Sequence, residues 1–262
     1  MPALTYRSYL QLPQLLSAQA PLSDAHDELL FISIHQASEI WLKLCLHELS
    51  AAREHIAVDD LSPAFKMMAR VARVMAQLIQ FWEVLATMTP ADYSAMRGRL
   101  GGSSGFQSDQ YRRIEFLLGN RNAALLSAFA DEPDVQSELQ AELARPSLYD
   151  EAIRLLARRG FAIAADNLTR PPAEPYAPHA DVERAWAAVY ADTAAHWDLY
   201  ELAEKLVDLD YRVQLWRFGH LKTVERVIGF KTGTGGTAGV AYLAKVLEAP
   251  FFPELLSVRT KL

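Results

Sequence analysis

The sequence is short of cysteine and of basic charge, and both shortages limit what the chain can do. Cys45 is its only cysteine, so it can form neither an internal disulfide nor a zinc site with two or more thiolates. Acidic residues outnumber basic ones by 32 to 26, which gives a formal net charge of -6. A dedicated nucleic-acid-binding protein needs a basic surface to displace counterions from phosphates. The composition therefore predicts no nucleic-acid partner.

Long apolar runs are also missing from the sequence. No uninterrupted run of about 18 apolar residues occurs, which is the length that a membrane-spanning helix requires. The opening MPALTYRSYLQLPQ lacks the basic stretch and apolar segment of a secretory signal. We therefore expect a cytoplasmic protein without a membrane partner.

Glycine and proline are too scarce for a fibrous or low-complexity protein, at 12 and 13 residues of 262. Hydrophobic residues make up 51% of the chain and charged residues 22%, which is a globular composition and excludes intrinsic disorder. The length is large for one ordinary domain and small for two. We predict a folded chain with a sizeable core.

Apolar residues recur at steps of three and four almost throughout, which is the spacing of one helix face. The pattern predicts an all-α fold framed by four long helices, at residues 23–55, 62–90, 181–210 and 211–230. Ser23 is a candidate N-cap for the first of them. Alternation typical of strands is scarce.

The middle of the chain contains the clearest interruption. Residues 170–179 carry four prolines, which cannot continue a helix. Shorter helices are expected within residues 120–160, including one at 147–159. We predict a single domain over residues 1–262, with a small helical insert at about 121–180.

Two glycine-rich loops interrupt the helical pattern, at residues 98–105 and 229–239. Such loops either connect helices or let backbone approach a ligand closely. Gly233, Gly235 and Ala238 match the dinucleotide pattern G-x-G-x-x-A. However, the preceding segment has helical periodicity and no βαβ unit surrounds it, so we reject that interpretation.

The seven histidines include no HExxH motif and no close cluster with carboxylates. Surface positions are expected for four of them, and an ordinary packed position for His196; the four are His26, His47, His55 and His179. His35 and His220 differ, because each follows an aromatic residue by one turn on an apolar helix face. Each alone fits a core histidine bonded to a carbonyl. Together, on two long helices, they could bracket a flat cofactor such as haem, and the residues alone leave both interpretations open.

Five colinear segments resemble the tryptophan 2,3-dioxygenase family closely. They are TYRSYLQLPQLLSAQ (5–19), HDELLFISIHQASEIWLKLCLHEL (26–49), SSGFQSDQYRRIEFLLGN (103–120), LWRFGHLKTVERVIGFKTGTGG (215–236) and FFPELLSVRT (251–260). The resemblance covers nearly the whole chain and weakens only over residues 121–180. Several of these segments have unusual composition, so together they are far more specific than any single pattern above.

The resemblance implies a helical, homotetrameric haem protein. Such a protein uses ferrous haem b to insert both atoms of O2 across the indole C2–C3 bond of L-tryptophan. The product is N-formyl-L-kynurenine, the first step of tryptophan degradation by the kynurenine pathway. The alternatives are a related haem oxygenase acting on another indole and a non-enzymatic haem sensor.

The resemblance also implies roles for individual residues. His220 matches the axial ligand of the haem iron, and His35 matches the distal histidine that accepts a hydrogen bond from the indole N–H. The substrate pocket matches Phe31, Ile32, Ser33, Ile34 and His35, with Tyr93, Arg97 and Thr234 at the amino-acid end of the substrate. The remaining matches are Ser104 and Gly105 beside haem and O2, Trp82 near the haem edge, and Tyr6 and Tyr9, one of which comes from a neighbouring subunit.

Overall fold

A computed structural model of the chain describes residues 3–231 and 239–262. Its regular structure within those ranges is helical without β-strands, which confirms the all-α prediction. The α-helices are α1 (Tyr6–Tyr9), α2 (Leu12–Leu15), α3 (Glu28–Ala57), α4 (Leu61–Leu85), α5 (Pro90–Arg97), α6 (Asp109–Leu118), α7 (Pro133–Leu143), α8 (Leu148–Arg158), α9 (Ala165–Thr169), α10 (Ala180–Ala191), α11 (Trp197–Ile228), α12 (Val240–Leu247) and α13 (Pro253–Val258). Two 3-10 helices, Gly105–Gln107 and Ala123–Phe129, complete the list for these ranges.

Three long helices form the frame, and α4 lies between the other two, against α3 and α11. The buried face of α4 carries Met68, Val71, Met75 and Leu78 at helical spacing. Burying one such side chain contributes about 1.5–3 kcal/mol, which is an upper bound because the unfolded chain is partly compact. The apolar residues spaced three and four apart in the sequence of α4 are therefore the ones that form this part of the core.

The prediction of four long helices is wrong, because the expected break between residues 210 and 211 lies inside α11. The chain instead leaves the helix at Asp192, with φ -134° and ψ 73°, and the Asp192 carboxylate accepts a 3.0 Å hydrogen bond from the Ala195 N–H. Asp210 is buried in the middle of α11 and accepts a hydrogen bond from the Phe251 N–H at 3.3 Å. The buried Asp210 carboxylate has a hydrogen-bond partner outside its own helix, so this polar residue does not end the helix.

Ser23 does not cap α3, so that prediction is also wrong. The helix begins at Glu28, whose buried carboxylate accepts hydrogen bonds from the N–H groups of Leu22 at 2.7 Å and Ser23 at 2.8 Å. The Ser23 hydroxyl donates to the same carboxylate. A negative charge in the first turn also interacts favourably with the helix dipole.

Short helices occupy residues 121–169, and α8 confirms the helix expected at 147–159. No α-helix covers the proline-rich residues 170–179. Leu148, Ala152 and Leu156 of α8 join the main core with α3 and α4, whereas Phe116 and Phe129 belong to a smaller apolar cluster. The division into one domain with an insert stays a prediction.

By length and composition, α3 is apolar enough to cross a bilayer, although Glu39 and Lys43 interrupt its apolar residues. Core helices of soluble proteins pass the same test. In this chain 17% of the 18-residue window that passes the test is buried, and most of the burial in α3 lies in its second half, where Leu42, Leu49 and Ile56 join the core. The absence of a membrane partner remains an expectation.

Candidate functional site

One cavity brings together residues from three long helices and from the first glycine-rich loop. Its lining includes seven residues predicted from the sequence, namely Phe31, His35, Trp82, Tyr93, Ser104, Gly105 and His220. They come from α3, α4, α5, α11 and the segment at the start of the first 3-10 helix. Segments that are far apart in the chain therefore meet at one place.

His35 is held in one orientation and one tautomer. Its ring packs on Phe31, with centroids 4.2 Å apart, and its Nδ1 lies 2.7 Å from the Phe31 carbonyl oxygen. Because a carbonyl only accepts hydrogen bonds, Nδ1 carries the hydrogen, and Nε2 of the neutral ring is an acceptor. Burial lowers the pKa of His35 below its ordinary value, so the ring is neutral at neutral pH.

His220 is also a neutral imidazole. Burial lowers its pKa to about 4, and the positive charge of Arg112 acts in the same direction. The Trp82 indole of α4 stacks on the imidazole, with centroids 4.7 Å apart and planes 8° apart. A neutral imidazole has the lone pair that a metal requires.

The residues of the cavity fit a haem. The cavity presents the imidazoles of His35 and His220, and an imidazole is a common ligand of iron that a porphyrin already holds. Trp82 Nε1 is buried and has no hydrogen-bond partner among the described residues. A buried donor of this kind indicates an acceptor on a bound group. The largely apolar wall, with Leu85, Met88 and Val227, suits a flat apolar ring.

One wall of the cavity carries a buried ionic network that was not predicted from the sequence. Glu115 of α6 accepts a hydrogen bond from Arg217 of α11 at 2.7 Å and another from Arg112. Arg217 also donates to the Tyr111 hydroxyl at 2.9 Å. Two guanidinium groups share one carboxylate, so this wall carries excess positive charge. It therefore suits an anionic group such as the propionate of a haem.

One signal in the sequence could have revealed half of this network. Arg112 and Glu115 are three residues apart in α6, and opposite charges at this spacing are neighbours on one helix face. Arg217 lies on a helix more than a hundred residues later in the chain, so no local pattern connects it to Glu115.

The helix α5 carries the two residues expected at the substrate carboxylate. Tyr93 lines the cavity, with its ring centroid 6.2 Å from that of Phe31. Arg97, one turn later, is half-buried and does not line the cavity, and its guanidinium carbon lies 5.9 Å from the centroid of the Tyr93 ring. Buried Met96 anchors the helix between them.

The start of α5 is fixed by reciprocal capping. The Thr89 hydroxyl accepts a hydrogen bond from the Asp92 N–H at 3.3 Å, and the Asp92 carboxylate accepts one from the Thr89 N–H at 2.8 Å. Pro90 in the first turn has the backbone angle that a helix requires. These bonds set where α5 begins and so where Tyr93 lies.

We expect Thr89→Ala to lower the stability of the protein by about 1 kcal/mol, because it removes a helix cap. For a chain of this size that corresponds to a fall in melting temperature of roughly 2–4 °C. Thr260→Ala is the control, since Thr260 is exposed and lies outside the helices. Equal melting temperatures for the two variants in a thermal scan would contradict the prediction.

The other described residues that were expected at the site do not line the cavity. Ile34 packs beside the small apolar cluster of Leu85, Met88 and Met96, while Ile32 is half-buried and Ser33 is exposed. None of Ile32, Ser33 and Ile34 lines the cavity. Tyr6 and Tyr9 are 76% and 70% exposed and lie outside the cavity of this chain. Thr234 lies outside the described residues.

The whole chain is similar in sequence to known proteins of one family. A profile of the tryptophan 2,3-dioxygenase family matches residues 1–262. The chain is 64% identical over 257 residues to a tryptophan 2,3-dioxygenase of Erythrobacter litoralis, covering 98% of each sequence. It is 59% identical over 259 residues to a tryptophan 2,3-dioxygenase of Cupriavidus necator, covering 99% of this chain and 88% of the relative.

A tryptophan 2,3-dioxygenase of a Bradyrhizobium species is likewise 59% identical over 259 residues, covering 99% of this chain and 93% of the relative. The matches include the segments that form the cavity, because they cover almost the entire chain. The chain therefore belongs to the tryptophan 2,3-dioxygenase family.

Proposed function

We propose that the chain is a haem-dependent dioxygenase that inserts both atoms of O2 across the indole C2–C3 bond of L-tryptophan. The product is N-formyl-L-kynurenine, the first step of tryptophan degradation by the kynurenine pathway. Family membership over the full chain supports the reaction. The observation that carries the proposal is one cavity lined by two neutral histidines, His35 and His220, from two different long helices.

His220 is the residue that would ligate the iron. Its low pKa keeps the imidazole lone pair free of a proton, and it is the histidine of α11 that lines the cavity. Arg112, on the ionic wall, would pair with a carboxylate of the cofactor. When bound, ferrous haem b would supply the chemistry that activates O2.

His35 and Phe31 would bind the indole end of the substrate. The Phe31 ring provides an aromatic surface against which the indole can pack. His35 Nε2 is the unprotonated nitrogen, because Nδ1 donates to the Phe31 carbonyl. It would therefore accept a hydrogen bond from the indole N–H and orient the ring without taking its proton.

Arg97, Tyr93 and Thr234 would bind the amino-acid end. Tyr93 lines the cavity, and Arg97 follows it by one turn of α5. A guanidinium can donate two parallel hydrogen bonds to a carboxylate, which favours an amino-acid substrate over a plain indole. Ser104 and Gly105, which also line the cavity, would lie beside the haem and O2.

A homotetramer is consistent with the exposed N-terminal segment. Leu4, Tyr6, Tyr9 and Leu16 are each at least 66% exposed in the single chain. Large apolar side chains in such a cluster favour burial against another copy. We propose that the N-terminal tyrosines contribute to a neighbouring subunit's pocket, in a cytoplasmic tetramer with no nucleic-acid or membrane partner.

The proposed reaction is tested with the purified, haem-loaded and reduced protein. L-Tryptophan and air are added, and formation of N-formylkynurenine is followed by its absorbance and by mass spectrometry. Indole and 3-methylindole are offered in parallel. Product from these alone would favour a different indole substrate, and a spectral response to tryptophan without product would favour a sensor.

We expect His35→Ala to keep its haem and to retain reduced turnover. Losing one positioning hydrogen bond costs about 0.5–1.5 kcal/mol, or up to about 3 kcal/mol if the indole N–H is left buried and unpaired. These values correspond to roughly a few-fold to somewhat more than a hundredfold in rate. His47→Ala is the control, because His47 is exposed on the same helix.

The pH dependence tests whether neutral His35 is required, and the residual turnover of the alanine variant separates positioning from base catalysis. Because His35 must be neutral to accept the hydrogen bond, activity should fall as the pH drops through its pKa. Burial lowers that pKa, so the acid limb should lie below about 6.5, and it should vanish in the alanine variant. A variant that binds haem and tryptophan normally yet gives no turnover would show that His35 is an essential base.

A further inference from the structure

Gly219 lies in the interior of α11, directly before His220. Glycine is the poorest helix former after proline, so its presence inside a helix needs a structural explanation. Here the explanation is that a larger residue would clash with Trp82. A Cβ at position 219 would lie 2.6 Å from Cδ1 and 3.3 Å from Cγ of Trp82, and the first distance is too short for any real contact.

The Trp82 indole fills a slot on α11. Gly219 forms the floor of the slot, and the Trp216 ring forms one side, with its centroid 5.4 Å from that of Trp82. On the other side the indole stacks on His220, with the planes 8° apart. The indole reaches this position only because residue 219 has no side chain.

We propose that Gly219 is a positioning residue for the iron ligand. By admitting the Trp82 indole, it lets a flat ring lie against His220 and fix the plane of the imidazole. The inference rests on the proposed role of His220 as the ligand of haem iron. Residues that orient a metal ligand affect metal affinity strongly, because the ligand must present its lone pair in one direction.

Gly219→Ala should therefore disturb haem and leave the helix intact. The added Cβ forces the indole back by roughly 1 Å, which removes much of its contact with the imidazole. Alanine itself favours the helix, so a loss of helicity is not expected. We expect haem to bind roughly 10- to 100-fold more weakly, which is the range typical of lost ligand support.

The decisive readout is the iron–imidazole stretching band in the resonance Raman spectrum of the reduced, oxygen-free holoprotein. Gly219→Ala should shift or broaden this band, because the imidazole is no longer held in one plane. Trp82→Phe keeps a flat ring and should keep the band close to its wild-type position. Gly98→Ala is the matched control, since Gly98 has helical backbone angles and its added Cβ would touch nothing within 4 Å.

A double variant shows whether Trp82 carries the effect. Trp82→Leu alone should broaden the band, and adding Gly219→Ala to it should change little, because the clashing indole is gone. If Gly219→Ala binds too little haem for a spectrum, haem affinity is measured instead. A double variant that binds haem no more weakly than Trp82→Leu supports the proposal, and a further loss on adding Gly219→Ala contradicts it.

Two results would overturn the inference in distinguishable ways. A wild-type band in Gly219→Ala, or effects that add in the double variant, would refute the role of Gly219 while His220 remains the ligand. Absence of the iron–imidazole band from the wild-type holoprotein would refute the proposed role of His220, and this inference with it.

Discussion

His220→Ala is expected to abolish tight haem binding, with a loss in affinity of at least about a hundredfold. That exceeds the 10- to 100-fold loss typical for residues that merely support a ligand. The other imidazole that lines the cavity, His35, is on α3 and donates through Nδ1 to the Phe31 carbonyl. It is therefore oriented by a different helix and cannot take over the position of His220.

The measurement is the absorption spectrum of the reduced variant, recorded with and without added imidazole. Free imidazole can enter the space that the side chain vacates, so it should restore part of the haem binding. His26→Ala is the control, because the His26 side chain is fully exposed. A normal ferrous spectrum in His220→Ala without imidazole would show that another group ligates the iron.

Arg97→Ala is expected to lose substrate affinity while keeping its haem. Truncating one partner of a hydrogen-bonded charge pair that ligand binding buries costs about 2–5 kcal/mol, which corresponds to roughly 30- to several-thousandfold in Kd. Arg97→Lys should also bind poorly, because lysine lacks the planar pair of donors. Arg97 is half-buried and does not line the cavity of this chain, so its contribution should appear mainly when substrate is bound.

Titration of the holoprotein with L-tryptophan, followed through the haem spectrum, measures this effect. Arg99→Ala is the matched control, since Arg99 is exposed and lies just beyond the end of α5. Tryptophan binding within threefold of wild type in Arg97→Ala would show that the carboxylate is bound elsewhere.

The long helices α3 and α4 were predictable because the burial of their apolar residues follows local spacing. The apolar positions of α4 repeat at three and four residues, and the structure buries that face. The break before α11 was not predictable, because residues 192–196 contain neither glycine nor proline. The turn there depends on the Asp192 carboxylate and on the packing of the helices that flank it.

The site was predictable only through resemblance. Local patterns identified His35 and His220 as polar groups on apolar faces, but spacing could not show that both line one cavity. The Glu115–Arg217 pair and the contact between Gly219 and Trp82 each join different helices. Contacts of this kind arise when helices pack, and a single sequence contains no signal for the partner of each group.

The two halves of the helix α3 differ sharply in how far their side chains are buried. From Leu42 onward eight of its residues are buried, six of them in the hydrophobic core, whereas none of residues 29–41 is buried within one chain. Local opening is easiest where few apolar contacts would be broken, so the half that carries Phe31 and His35 should fray well before the other. A bound indole would supply part of the core that this half lacks. Substrate would then act as a folding partner for its own binding site, tightening the helix that recognises it.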